Sequence, residues 1–196
     1  MNRLALFKSW LNVFFHPQAS TFRDELHLKS HILTLANIVL GACLGFGLSW
    51  LTHLLFGQPA QSFMGIASIW VKPGTQPPFS SWPLIVLGGV ILGFFDFEIV
   101  LFIFARLLGG KGSFGTQTYL QSIFYAPLSI VQQIIAVIPI IGRPLFFLVA
   151  IYSLIPTTTS LIASHGYRSW RAVATWLMPI LLNVGVVLAV VKVLSR

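Results

Sequence analysis

WPLIVLGGVILGFFDFEIVLFIFARLLGGKGSF, residues 82–114, is an apolar run long enough to cross a bilayer, yet it holds Asp96 and Glu98 in its interior. Over residues 84–105, sixteen positions are Leu, Ile, Val or Phe. On insertion scales these contribute about −7 kcal/mol, and two central acids cost about +5 to +7 kcal/mol. Such a segment inserts near break-even, so its acids need hydrogen-bonding neighbours or protons. At about 100° per residue the two acids lie about 200° apart on a helix and face nearly opposite ways. Polar groups on two faces place this helix in the middle of a bundle. The Asp96 side also carries Gly89 and Gly93, and Gly41 and Gly45 offer a matching groove on the preceding apolar segment. Small residues four apart let helix backbones approach closely, so these four glycines are read as helix-packing positions.

The rest of the chain has the same character. Of its 196 residues 56% are hydrophobic and 8% charged, against roughly 25% charged in an ordinary soluble domain. A helix needs about 20 apolar residues to cross about 30 Å of hydrocarbon. Five windows meet that length, at about 32–56, 83–105, 119–141, 144–164 and 172–193. The expected fold class is all-α: a polytopic membrane bundle of five transmembrane helices. Residues 1–31 form a cytoplasmic amphipathic segment and residues 32–196 the membrane domain. In the first segment Leu4, Phe7, Leu11 and Phe14 recur at helical spacing opposite Lys8 and Asn12, which predicts an interfacial helix that Pro17 ends; its apolar arc is broad, so packing on the bundle is the alternative. A second short helix is expected at about 20–29, with Thr21–Asp24 as a capping box and Glu25–Lys29 as an i,i+4 pair. Residues 57–82 form the long outer loop.

The chain has 12 Lys and Arg against 4 Asp and Glu, a net charge of +8. In a soluble protein that balance suggests nucleic acid. Here it fits anionic lipid headgroups at the cytoplasmic face, and no nucleic-acid partner is expected. Eight of the cations (Arg3, Lys8, Arg23, Lys29, Arg106, Lys111, Arg168 and Arg171) fall on one side of the five windows, and four on the other. The bias puts the N-terminus inside and the C-terminus outside.

Polar residues recur inside the windows. Asp96, Glu98, Gln132, Gln133, Thr157 and Asn183 form a candidate intramembrane polar cluster, matched by depth along their helices. Two uses compete: hydrogen-bonding glue between helices, or a polar path with Asp96 as a protonatable group. LLGGKGSF, residues 107–114, resembles a phosphate-binding loop only superficially, because Gly112 rather than Ser or Thr follows Lys111. His16, His27, His31, His53 and His165 show no ligand spacing, and no G-x-S-x-G occurs. No metal, cofactor or catalytic residue is expected.

Several motifs together resemble a known family. FFHPQASTF closes the amphipathic segment, ARLLGGKGSF leaves the second window, IFYAPLSI opens the third, IYSLI lies in the fourth, and SHGYRSWRA leads into the fifth. This order is similar to the Yip family, the Ypt/Rab-interacting membrane proteins, and to its prokaryote-type "Yip-one domain" members. The most specific motif is the loop Gly109, Gly110, Lys111, Gly112, Ser113 and Phe114. The resemblance implies five spans and a cytoplasmic N-terminus. Eukaryotic relatives act in membrane trafficking with Rab-type GTPases, but this chain lacks their DLYGP segment and long N-terminal region, so a Rab-type partner does not carry over. The expected function is a non-enzymatic membrane protein that organises membrane, or binds membrane-protein partners or itself, in a prokaryotic plasma membrane. The alternative is a small transporter or proton-conducting protein using Asp96.

Overall fold

In lipid the backbone has no water to bond, so a crossing segment must satisfy its own N–H and C=O groups. The apolar windows accordingly fold as long helices. The fold is known from a computed structural model that describes residues 3–56, 82–136, 138 and 141–194. Two short helices, α1 (Arg3–Phe15) and α2 (Ala19–Asp24), are followed by a 3-10 turn, Glu25–Leu28. The long helices are α3 (His31–Phe56), α4 (Trp82–Leu107), α5 (Phe114–Ala136), α6 (Gly142–His165) and α7 (Ser169–Leu194). Among the described residues there is no strand. The expected outer loop lies outside the described residues, except that Trp82 opens α4.

Among the described residues, three stretches are long and apolar enough to cross a membrane: His31–Leu48, Leu87–Leu107 and Pro144–His165. α5 is more polar, with Gln117, Gln121, Gln132 and Gln133 along its length. Its position explains why it tolerates them. α5 packs against α1, α3, α4, α6 and the 3-10 turn, so it is the middle helix of the bundle. This corrects the expectation that 83–105 would be central. α4 packs on α3, α5 and α7, and its other face is open: Leu92, Phe97, Ile99 and Ile103 are exposed.

The close approach of α3 to α5 depends on Gly41. A Cβ there would sit 2.8 Å from the Ala126 Cα, so only glycine admits this contact. Gly45, one turn on, is also buried. Gly89 and Gly93 do not complete the expected pairing, because nothing lies within 4 Å of where their Cβ atoms would be. The partner of the Gly41 groove is Ala126 on α5, not the glycine pair on α4.

α1 divides its apolar residues between two surroundings. Trp10 and Val13 are buried in a core with Phe22, Tyr119, Leu120, Ile123 and Phe124. Phe7, Leu11 and Phe15 remain exposed. The stripe read from Phe7 and Leu11 is therefore the outward one, and the bundle-facing side is the Ser9–Trp10–Val13 side. α2 starts after Gln18 without a side-chain cap, and Glu25 is buried against Ser9 rather than paired with Lys29, so neither the capping box nor the i,i+4 pair forms. Trp10 Nε1 donates to Asn37 Oδ1 at 2.9 Å, and Asn37 Nδ2 donates to Ser122 Oγ at 3.1 Å. This buried chain ties α1 to α3 and α5. The Tyr152 hydroxyl donates to the Phe14 carbonyl and ties α1 to α6.

Candidate functional site

The densest polar structure lies at the end of the bundle where α1 docks, and it is built on the GGKGSF loop. Gly109 takes φ +83°, which a side chain would resist. Gly110 N–H donates to the Ala105 carbonyl at 2.8 Å and Gly109 N–H to the Arg106 carbonyl at 3.0 Å. Together they form the Schellman ending of α4. Ser113 caps α5, its Oγ accepting the Thr116 N–H at 3.2 Å. Phe114 packs edge-on against Phe102, with 5.4 Å between centroids. Lys29 Nζ donates to Thr116 Oγ1 at 2.7 Å, which holds the end of the 3-10 turn to the same corner.

The two middle glycines press the loop onto the end of α6. A Cβ on Gly110 would meet His165 Nδ1 at 2.6 Å, and one on Gly112 would meet the Ser164 carbonyl oxygen at 2.1 Å. This proximity lets Gly112 N–H donate to His165 Nδ1 at 3.1 Å. A nitrogen that accepts carries no proton, so Nε2 is the protonated one. Nε2–H then donates to Gln117 Oε1 at 2.8 Å. That sets the orientation of the Gln117 amide, whose Nε2 donates to Glu98 Oε2 at 2.7 Å and to the Glu98 carbonyl at 3.1 Å. His165 lies between two rings, stacked on Tyr167 at 5.4 Å and tilted against Phe102 at 6.0 Å. Glu98, Gln117 and His165 are 1%, 1% and 3% exposed. The result is a buried relay from a loop amide through a histidine and a glutamine to an acid on α4, and it joins α4, α5 and α6. Glu98 Oε1 and Gln121 Nε2 are buried with no hydrogen-bond partner among the described residues.

Of the residues expected to form one intramembrane cluster, Asp96 and Glu98 lie on different faces of α4, one exposed and one buried. Glu98 is in the relay. Asp96 is exposed on the outer face of α4 and makes no hydrogen bond or ion pair among the described residues. Thr157 is buried, but its hydroxyl donates back to the Ser153 carbonyl of its own helix. Gln132 is half-buried, and the side chains of Gln133 and Asn183 lie outside the described residues. Gln117, His165 and Asn37 were not singled out from the sequence. The signal for His165 in residue order is Gly166 directly after it: a basic residue followed by glycine marks a helix end, and Gly166 takes φ +68° there.

Outside the relay the loop borders a cleft of about 550 Å³ at the C-terminal end of α6 and the start of α7. Lys111, Arg168 and Arg171 line it, with Tyr167 and Trp170.

The loop that organises this corner is also the motif that carries the resemblance, and the comparison extends it to nearly the whole chain. The Yip1 domain model matches residues 11–191. The chain belongs to the Yip1 domain family. No curated protein and no solved structure matches it. The Yip1 domain match takes in the C-terminal end of α1, from residue 11, and all of the GGKGSF loop and the relay, so the corner described here is inside the family domain and not an appendage to it.

Proposed function

We infer that the chain is a five-span integral membrane protein of a prokaryotic plasma membrane. Its N-terminus is cytoplasmic and its C-terminus lies on the opposite side. It catalyses no reaction; it organises membrane by binding helices of partner membrane proteins, a second copy included. Length supports five spans: α3 to α7 run 23 to 26 residues, or about 35–39 Å at 1.5 Å per residue. Phe7, Leu11 and Phe15, exposed beside Lys8, suit the headgroup boundary at the cytoplasmic face. Both imidazole nitrogens of His165 are engaged, so no free lone pair remains there for general-base chemistry.

The observation that carries the partner-binding reading is the outer face of α4. Gly89, Gly93 and Asp96 share that face, and the space over both glycines is open. A central acid facing lipid costs about 3 kcal/mol. A neighbouring helix that approaches over the glycines and donates a hydrogen bond offsets that cost. A proton path centred on Asp96 gains no support, since this carboxyl faces away from the bundle interior. The test is a photo-crosslinker at Leu92, which is 72% exposed and one turn from Asp96. Discrete protein adducts that vanish in Asp96→Leu are expected, and adducts to lipid alone refute the reading. Reporters fused to the two termini are expected on opposite sides of the membrane; the same side for both would overturn the five-span placement.

A further inference from the structure

The relay closes the inner side of the cleft between the GGKGSF loop and the start of α7, and that cleft has its own chemistry. Three cations line it: Lys111 from the loop, Arg168 from the α6–α7 turn, and Arg171 from the first turn of α7. No acid does. The four acids of the chain are Asp24, Glu25, Asp96 and Glu98, and none is among the lining residues. None of the three cations makes an ion pair among the described residues. Their mutual repulsion is left uncompensated by protein.

Of the three, Arg171 is held in place by its neighbours. The Arg171 guanidinium lies 5.3 Å from the centre of the Trp170 ring. Arg171 Nη1 would come within 3.3 Å of a Cβ on Gly109, so a glycine there leaves the guanidinium its place over the loop. The Arg171 carbonyl accepts the Thr175 hydroxyl at 2.8 Å, and Thr175 Oγ1 is 2.8 Å from the Tyr167 hydroxyl. Tyr167 is stacked on His165, so the wall of the cleft is continuous with the buried relay. The 26-residue helix α7 begins at the cleft and adds the partial positive charge of its N-terminus. Trp170, 59% exposed at the rim, has the character of a residue that sits at headgroup depth.

We propose that this cleft is a binding site for a phosphate group, held by Lys111, Arg168 and Arg171. A planar guanidinium takes two phosphate oxygens at once, and an ammonium takes a third as a point charge. The volume suits a phospholipid headgroup or a small phosphate ester. The chemistry is shared by both sources, and the depth of the rim favours the lipid. This site is separate from the α4 face and does not depend on a partner helix; only the lipid source rests on the five-span placement.

The experiment uses the full chain purified in a neutral detergent. Short-chain phosphatidic acid, phosphatidylglycerol and phosphatidylcholine are titrated and followed by native mass spectrometry, and inorganic phosphate is added as competitor. The two anionic lipids are expected to bind and phosphatidylcholine not to, with millimolar inorganic phosphate displacing them. Arg168→Gln and Arg171→Gln each weaken binding about tenfold, one charge-assisted contact apiece. Arg23→Gln, an exposed cation outside the cleft, leaves binding unchanged. Binding of inorganic phosphate without lipid assigns the site to a soluble phosphate ester. Equal binding of all three lipids, no binding of any probe, or anionic binding that Arg168→Gln and Lys111→Gln both leave intact overturns the site. Arg168 is exposed, so its variant reports even if Arg171→Gln fails to fold.

Discussion

Replacing Gly112 with alanine tests whether the GGKGSF loop is built on contact with α6. The added Cβ would stand 2.1 Å from the Ser164 carbonyl oxygen, 2.8 Å from its carbon and 3.0 Å from His165 Nδ1. Two of these neighbours are backbone of a long helix and do not swing away, so the loop must retreat by about 1 Å to restore van der Waals contact. That retreat stretches the 3.1 Å bond from Gly112 N–H to His165 Nδ1 beyond hydrogen-bonding range. Overpacking costs about 1–3 kcal/mol, and a buried acceptor left without its donor costs about the same again, so about 3 kcal/mol is expected. For a chain of this size that corresponds to a melting temperature lower by about 6–12 °C. The assay is thermal unfolding in detergent, followed by tryptophan fluorescence. Gly93→Ala is the matched control: its Cβ meets nothing within 4 Å, and alanine favours the helix by about 1 kcal/mol, so it melts at or above the parent temperature. A Gly112→Ala protein that melts within about 1 °C of the parent would refute the reasoning.

Gln117→Leu leaves Glu98 Oε2 and His165 Nε2 without their shared partner, so the same melt should fall by about 3 kcal/mol equivalent or more. Asp96→Leu should do the opposite to the isolated chain: exchanging a lipid-facing acid for leucine improves insertion of the α4 segment by about 3 kcal/mol, measured by glycosylation-scored insertion into microsomes. Trp10→Phe keeps the ring in the core but strips Asn37 Oδ1 of its donor. It should cost about 1–3 kcal/mol and make residues 1–28 more susceptible to limited proteolysis, whereas an unchanged digestion pattern would show that the Trp10–Asn37–Ser122 chain does not hold α1.

Four of the five long helices fall within three residues of their apolar windows, because hydrocarbon imposes a local demand: about 20 apolar residues in a row, backbone satisfied within the segment. The third window, expected at 119–141, is instead α5 at Phe114–Ala136, because the polar first turns of that helix hide its start from a hydropathy reading. The GGKGSF loop was legible as a motif, since a Schellman ending and an N-cap are written in adjacent residues. The faces of the helices were not. A soluble helix announces its buried side by contrast with a polar one, but a helix in lipid is apolar on both sides, so residue order does not distinguish neighbour from solvent. Asp96 and Glu98 are two positions apart in one apolar run, and nothing in that run says which acid meets Gln117 and which stays exposed. Gly41 and Gly89 carry the same spacing of small residues, yet one lies against Ala126 and the other is open. Helix length and fold class follow from transfer free energies that each segment carries alone. The choice of buried acid, the central place of α5 and the histidine relay exist only once five helices have been set against one another, because each is a property of a contact and not of a segment.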